Sequence, residues 1–130
     1  MARTHTPLKP RSIVWAAVID LVAVLVFVLI GRASHGEQLD AGGILTTFWP
    51  FAVGLAIGWA AAQAWRHPLR LPLPGVPIWL ITLVGGMMFR VLSGQGTALP
   101  FVIVATIALA ILLIGWRVGA MLVTRGRSVE

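Results

Sequence analysis

Four long apolar segments, each almost free of charged side chains, constrain the fold of this chain more than any other feature of its sequence. They span residues 13–31, 46–65, 77–92 and 99–123. A hydrocarbon layer about 30 Å thick is crossed by roughly 20 helical residues, with about 17–25 as the usual range. Three segments fall in that range and the third is slightly shorter. The pattern therefore predicts an all-α, polytopic membrane protein with a four-helix transmembrane bundle.

The amino-acid composition also favours lipid over water as the solvent of the surface. Of the 130 residues, 58% are hydrophobic and 11% are charged, whereas an average soluble domain is about 45–50% apolar and about 25% charged. The chain contains no cysteine, which excludes disulfides and sites built on thiolates. We therefore expect a lipid bilayer as the main partner and no cofactor.

The basic residues predict the topology of the bundle. They lie between the apolar segments and not along one stripe, which argues against a nucleic-acid partner. Basic residues beside membrane spans are in excess on the cytoplasmic side. With the N-terminus in the cytoplasm, the outer side holds only Arg32 and Arg90, and the cytoplasmic side holds Arg3, Lys9, Arg11, Arg66, Arg70, Arg117, Arg125 and Arg127. This asymmetry requires an even number of spans.

The resulting prediction is a multi-pass protein of the cell membrane with both termini in the cytoplasm. Residues 1–12 form a cytoplasmic segment, residues 13–123 a single transmembrane domain, and residues 124–130 a cytoplasmic tail. Pro50, Pro77 and Pro100 each fall near the start of a predicted span, where the missing N–H of proline has no helical partner to lose. Four prolines within residues 67–77 predict an extended connector between the second and third spans.

The two halves of the chain contain similar landmarks in the same order. Pro50 is followed by Trp65 before an arginine, and Pro100 is followed by Trp116 before an arginine. Two related helical hairpins would form a parallel repeat about an axis along the membrane normal. Two unrelated hairpins that share common features of membrane helices would look the same, and both interpretations stay open.

Asp20 is the ionisable residue placed deepest in an apolar segment, about 12 Å inside the boundary at Ser12. A carboxylate at that depth costs roughly 2.5–3.5 kcal/mol on insertion scales and is expected to face the bundle and to have a partner. The candidate partners are Arg117 and the indole N–H of Trp59 or Trp116. Asp20, Trp59 and Arg117 are therefore a candidate intramembrane polar site, either for a proton or cation or for helix packing.

Arg32 and Arg90 are candidate basic residues of the outer mouth, either as an anion-binding rim or as partners of nearby acids and lipid phosphates. His35, Glu37 and Asp40 share the outer loop and are weak candidates for a metal site. One histidine and two acids on a loop are more often ordinary solvated residues, so no metal is predicted.

Small residues recur at four-residue spacing on two of the predicted spans. Gly54, Gly58 and Ala62 form one stripe, and Gly115 and Gly119 form another. This spacing lets helix backbones approach closely. The stripes could serve packing inside the bundle or contact with a second copy or a membrane-complex partner.

The order of several short motifs resembles that of domain-of-unknown-function family 3054. The matching features are Asp20, the run at residues 31–35, Trp49-Pro50-Phe51, Gly58-Trp59, Gly86-Met87 with Arg90, Gly94 with Gly96 and Ala98, Phe101, and Gly115-Trp116-Arg117. The resemblance covers about residues 13–120. It implies a small four-span membrane fold and assigns no catalytic or binding residue.

Three functions fit these features. The first is an accessory or structural membrane component that packs with itself or with a partner complex. The second is a small transporter or channel subunit in which Asp20 is a buried polar site. A membrane-embedded enzyme with a metal site on the outer face ranks last, because no catalytic constellation is recognisable around the serines of the chain.

Overall fold

The computed structural model of the chain describes residues 10–34, 36–69 and 74–129, which are helical apart from the connecting loops and contain no β-strand. The helices in chain order are α1 (Pro10–Ser34), α2 (Ala41–Ala62), α3 (Gly75–Leu92), α4 (Leu99–Leu109) and α5 (Gly115–Val129). A π-helical turn, Ala110–Ile114, joins α4 to α5. The last two helices thus form one fourth span, and the predicted all-α, four-span architecture is confirmed.

The outer surface of this bundle is apolar. In each span, only 17% to 33% of the most apolar window is buried inside the protein. The outward positions carry large aliphatic side chains, such as Leu21 on α1, Val84 on α3 and Ile107 on α4. A helix satisfies its backbone hydrogen bonds internally and can therefore present such a surface to hydrocarbon. All four spans are long and apolar enough to cross a membrane, as a multi-pass membrane protein requires.

The start of α2 differs from the predicted span. The helix begins at Ala41, five residues before the predicted limit at residue 46. Asp40 is its N-cap, and its carboxylate accepts a hydrogen bond from the Gly43 N–H at 3.3 Å. Such a cap satisfies one of the N–H groups that lack a partner in the first turn. The polar cap extends the helix beyond its apolar segment, which hydropathy alone does not locate.

Pro50 consequently lies inside α2, and the expectation that it begins a span is wrong. A proline inside a helix leaves the carbonyl four residues earlier without its partner. That carbonyl belongs to Thr46, and the side-chain Nε2 of Gln95 donates to it at 3.0 Å. Pro77 and Pro100 do lie in the first turns of α3 and α4, as predicted.

The small residues of α2 face α3, and these two helices form the most extensive helix pair of the bundle. A Cβ added at Gly54 would stand 2.9 Å from the Thr82 carbonyl oxygen and 3.1 Å from the Gly86 nitrogen. At Gly58 it would stand 3.3 Å from the Ile78 Cα. Both glycines therefore serve packing within the chain. Ala62, the last residue of α2, packs partly buried against the core.

The fourth span turns one narrow face toward the core through Ala105, Leu109, Leu113 and Arg117, all fully buried. These residues are spaced by four, and a regular helix of 3.6 residues per turn would rotate the face by about 40° at each step. The π-helical turn between Leu109 and Gly115 has more residues per turn and offsets part of this rotation. It thereby keeps Arg117 directed into the bundle.

Three phenylalanine rings fill the bundle toward the end that holds the loops at residues 36–40 and 93–98. We call this the outer end, after the predicted topology. Phe27 and Phe51 meet edge to face with centroids 5.1 Å apart, and Phe101 lies 6.2 Å from Phe51. This layer separates a cluster of charged residues at the outer end from a second cluster deeper in the bundle.

Candidate functional site

The deep cluster consists of Asp20, Trp59, Trp116 and Arg117, and we call it the inner cluster. Its centre is a bidentate ion pair, in which Arg117 Nη1 lies 2.8 Å from Asp20 Oδ1 and Nη2 lies 2.6 Å from Oδ2. Both side chains are 0% exposed. The parallel N–H···O geometry is the strongest form of this pairing, because two charge-assisted bonds share one planar orientation.

Two indoles complete the shell of the carboxylate. Trp59 Nε1 donates to Oδ2 at 2.7 Å, and Trp116 Nε1 donates to Oδ1 at 2.8 Å. Asp20 thus accepts four hydrogen bonds, two at each oxygen, from donors on α2 and α5. An ionised carboxylate has about four lone-pair sites. The shell is therefore full, and the carboxylate retains no site for a further ligand.

Arg117 also binds the backbone on its other sides. Its Nε donates to the Pro68 carbonyl at 2.8 Å, and Nη1 donates to the Leu113 carbonyl at 2.9 Å. The guanidinium carbon lies 4.7 Å from the ring centroid of Trp116. Through these bonds the pair joins α1, α2 and α5 to the connector that follows α2. The ion pair therefore fixes the relative positions of three spans and one loop.

The sequence indicates Asp20, Trp59 and Arg117 as a candidate intramembrane site, and the structure brings these three side chains together. Asp20 lies in register with Ala16, Val24 and Val28, which are buried on the same side of α1. The inward direction of Arg117 depends on the π-helical turn, which has no recognised sequence signal here. Pro68 contributes through its carbonyl oxygen. Every residue has a backbone carbonyl, so the residue types in the sequence do not indicate which carbonyl Arg117 will contact.

The outer cluster contains Arg32, Glu37, Asp40, Arg90 and Gln95. Arg32, in the last turn of α1, is bound on several sides. Its Nη1 lies 2.9 Å from Glu37 Oε2 and donates to Thr47 Oγ1 at 3.1 Å, while its Nε donates to the Gln38 carbonyl at 2.8 Å. Asp40 is more distant, with 3.9 Å from Oδ1 to Nη2. The two acidic partners of Arg32 are more than half exposed, so the charge of Arg32 is neutralised at the rim of the bundle.

Arg90, in the last turn of α3, is held differently. Its Nε and Nη2 donate to the Gly96 carbonyl at 2.9 and 2.8 Å, and its Nη1 donates to Gln95 Oε1 at 3.0 Å. The guanidinium carbon lies 4.2 Å from the ring centroid of Phe101. Every hydrogen-bond acceptor of Arg90 in the described part of the chain is an uncharged oxygen. Its charge is thus oriented but not neutralised by an ion pair.

Arg32 and Arg90 line one cavity of about 290 Å³ at the outer end. Its polar wall includes Glu37, Thr46, Thr47 and Gln95, and its apolar base includes Phe27 and Phe101. Gln95 spans two helices here, because its Nε2 reaches the Thr46 carbonyl while its Oε1 accepts from Arg90. The predicted outer-mouth arginines are therefore brought together around a space large enough for a small molecule.

The sequence profile of a family described as "Protein of unknown function (DUF3054)" matches residues 17–120. This is most of the chain, and it includes both clusters. The chain belongs to the DUF3054 family. No curated protein and no solved structure shows significant similarity to this DUF3054 chain.

Of the three weak metal candidates of this DUF3054 chain, the structure describes two. His35 lies outside the described residues, and Glu37 and Asp40 are turned toward Arg32. Among the described residues, no group of three histidine, cysteine, aspartate or glutamate side chains has the geometry to hold a metal.

The second small-residue stripe of the DUF3054 chain differs from the first. A Cβ added at Gly115 or Gly119 would meet no atom within 4 Å, and both positions are exposed. The described bundle therefore leaves this stripe at its surface, whereas it covers Gly54 and Gly58 with α3. The site residues that sequence reasoning missed are mainly Thr47 and Gln95, which no motif or spacing singles out, whereas Phe101 enters the sequence analysis only as part of the family resemblance.

Proposed function

We propose that this DUF3054 protein is an accessory or structural component of the cell membrane and has no ion pathway through its bundle. The observation that carries the proposal is the full shell of Asp20. Four N–H donors surround the carboxylate, and neither Asp20 nor Arg117 is exposed. A site that exchanges protons or cations needs a carboxylate that a ligand can reach, and this one is occupied by its own protein.

The proposed orientation has both termini in the cytoplasm. It is supported by the excess of basic residues on that side. A reporter fused to either terminus should be reachable only from the cytoplasm, and one inserted after Gly36 only from outside. A C-terminal reporter accessible from outside intact cells would contradict the orientation.

The proposed contact surface lies on the fourth span. Gly115 and Gly119 have open space above them, and their neighbours Val118 and Leu122 are exposed. Close approach of another membrane helix at small residues is a common mode of helix association. By contrast, Gly54 and Gly58 already contact α3 and cannot serve a second copy or a partner complex.

The alternative, a small transporter or channel subunit, is favoured by one feature. The π-helical turn at Ala110–Ile114 immediately precedes Trp116 and Arg117, and such turns often occur at functional sites. A shift of this turn would rotate Arg117 away from Asp20 and open the carboxylate. The alternative therefore predicts that Asp20 exchanges its partners during a transport cycle.

Flux measurements distinguish these two functions. Purified protein in liposomes should give the same proton and potassium flux as protein-free liposomes under an imposed membrane potential. Flux above that background, abolished in Asp20→Asn when this variant keeps its helical content, would contradict the accessory function and support the transporter.

The contact surface is tested separately through the size of the assembly. In mild detergent and in chemically cross-linked membranes, Gly119→Leu should reduce the fraction of any oligomer or partner complex. Ala61→Leu, at an exposed position on α2, is the matched control and should not. Equal effects of both variants, or none of either, would exclude the fourth span as the contact.

A further inference from the structure

We propose that the cavity at the outer end binds an oxyanion, the phosphate or carboxylate group of a solute or of a lipid head group, through Arg90. The inference goes beyond the proposed accessory function and does not depend on it. It rests on the charges around the cavity, on the way Arg90 is held, and on the shape of the space.

The charges that line the cavity do not cancel. Two arginines and one glutamate border it, and 2 − 1 leaves a net charge of +1. Glu37 forms an ion pair with Arg32, in which Glu37 Oε2 lies 2.9 Å from Arg32 Nη1. In the lining, Arg90 is the charged residue that no carboxylate pairs among the described residues, whereas Asp40, outside the lining, is a second partner of Arg32 and brings the outer cluster as a whole to zero net charge. A charge that is partly withdrawn from water and lacks an ion-pair partner favours a bound counter-ion.

Arg90 is positioned in advance for such a ligand. A guanidinium has five N–H donors, and three of the hydrogen bonds of Arg90 go to Gly96 and Gln95. The remaining two N–H groups have no acceptor in the described structure. The Phe101 ring and the loop carbonyl fix the plane of the guanidinium, so a ligand does not need to order the side chain. Planar N–H pairs match the geometry of phosphate and carboxylate oxygens.

The neighbouring arginine provides an internal comparison. Arg32 shares the same cavity, but Glu37 and Asp40 both lie on its guanidinium side. Arg32 lines the cavity and pairs with Glu37, which forms no ion pair with Arg90 in the described part of the chain. The structure therefore assigns anion binding to Arg90, with Arg32 as a positioning residue.

The shape of the cavity limits the ligand to a small one. Its volume of about 290 Å³ is just below the range of about 300–1,000 Å³ that is usual for ligand sites. Phe27, Val28 and Phe101 form an apolar part beside the polar wall. An oxyanion attached to a short apolar portion fits both parts, and such a group is carried by small phosphorylated or carboxylated solutes and by anionic lipid head groups.

Two arms of one experiment distinguish these sources. In nanodiscs of phosphatidylcholine, inorganic phosphate is titrated at constant ionic strength with chloride as the replaced ion, and binding is measured by calorimetry and by the thermal midpoint. In nanodiscs that also contain phosphatidylglycerol, native mass spectrometry measures the lipid retained on the protein. Saturable phosphate binding supports a free solute, and retained phosphatidylglycerol without phosphate binding supports a lipid head group.

Two variants locate the site. Arg90→Gln should weaken whichever ligand binds by about tenfold or more, since a hydrogen bond to a charged group contributes about 1.5–3 kcal/mol. Gly31→Leu should also weaken binding at least tenfold, with all charges kept. Gly31 lines the cavity, a Cβ there meets nothing within 4 Å, and leucine favours the helix more than glycine does, so this variant is expected to fold even where Arg90→Gln does not.

Arg66→Gln is the matched control, because it removes the same charge from an exposed loop outside the cavity. It should bind phosphate or phosphatidylglycerol as the unmodified protein does. The proposal is overturned if the unmodified protein binds neither ligand, or if its binding is unaffected by both Arg90→Gln and Gly31→Leu.

Discussion

The inner and outer clusters use the same kind of side chain for opposite purposes. In the inner cluster, Arg117 contacts Asp20, two backbone carbonyls and an indole face, and the side chains of both Arg117 and Asp20 are fully buried. In the outer cluster, Arg90 meets only uncharged oxygens and a phenyl ring beside a cavity. The comparison teaches that the role of an arginine in a membrane bundle depends on whether a buried carboxylate pairs its charge, as for Arg117, or uncharged oxygens only orient it, as for Arg90. The closed cluster stabilises the fold, and the open cluster offers a binding site.

The largest effect should follow from breaking the inner pair. Arg117→Met leaves the Asp20 carboxylate buried without its counter-ion, and removal of one partner of a buried pair costs about 3–5 kcal/mol. We expect a loss of this size in the free energy of unfolding, measured by denaturation in mixed detergent micelles. Arg66→Met, at an exposed loop position, is the control and should cost less than about 0.5 kcal/mol. Equal losses for both variants would show that the inner pair does not stabilise the bundle.

Removal of one indole donor should have a smaller effect. Trp59→Phe keeps an aromatic ring but deletes the indole N–H, which donates to Asp20 Oδ2 at 2.7 Å. We expect a loss of about 1.5–3 kcal/mol because the acceptor is charged. Trp79→Phe is the matched control, since its indole donates to the neutral carbonyl of Thr106 at 3.0 Å. The control should lose less stability than Trp59→Phe in the same denaturation measurement. The reverse order would contradict a charged acceptor at Asp20.

At the outer end, Gln95→Ala should cost about 0.5–1.5 kcal/mol. This variant frees the Thr46 carbonyl that Pro50 has already deprived of its helical partner, and it removes an acceptor from Arg90. Hydrogen exchange of the amides at the start of α2 should accelerate. Gln38→Ala, at an exposed position in the neighbouring loop, should leave both stability and exchange unchanged. If the two variants had the same stability and the same exchange rates, Gln95 would not stabilise the outer cluster.

The smallest effect on stability is expected for Glu37→Gln. The Glu37 carboxylate is 52% exposed, and an ion pair with so exposed a partner contributes about 0–1 kcal/mol and is screened by salt. The loss should shrink further when the salt concentration is raised. A loss as large as that of Arg117→Met would contradict the proposal that the inner ion pair stabilises the fold much more than the outer one.

The sequence predicts the architecture of this protein far better than its sites. Long apolar segments and few charges are sufficient to indicate four spans, because the cost of burying charge in hydrocarbon acts on every residue of a segment. The first turn of α2 was missed because a single capping side chain, Asp40, decides it. Hydropathy places Pro50 near a helix start, but in the structure it lies inside α2. There the Thr46 carbonyl, which Pro50 leaves without a helical partner, accepts a hydrogen bond from Gln95. Because Gln95 is distant in the sequence, no local pattern indicates this arrangement.

The candidate site follows the same rule. Asp20 can be singled out because a deep acid is expected to face the bundle and to have a partner. The inward direction of Arg117 depends on a π-helical turn, and the contact with the Pro68 carbonyl depends on the conformation of the loop after α2. The cavity beside Arg90 depends on how two loops fold over the helix ends. These features arise from tertiary contacts, which one sequence does not encode in any local pattern.

A double-mutant cycle between Asp20 and Arg117 tests the central claim, a closed ion pair that stabilises the bundle, most directly. The free energies of unfolding of Asp20→Asn, Arg117→Gln and the double variant would be compared with that of the unmodified protein in the same micelles. Polar pairs between membrane helices couple by about 0.6 kcal/mol on average. A bidentate ion pair with a full shell should couple by more than about 1.5 kcal/mol, as close charge pairs do in double-mutant cycles. A coupling below about 0.5 kcal/mol would contradict the account, because the two side chains would then contribute to stability independently.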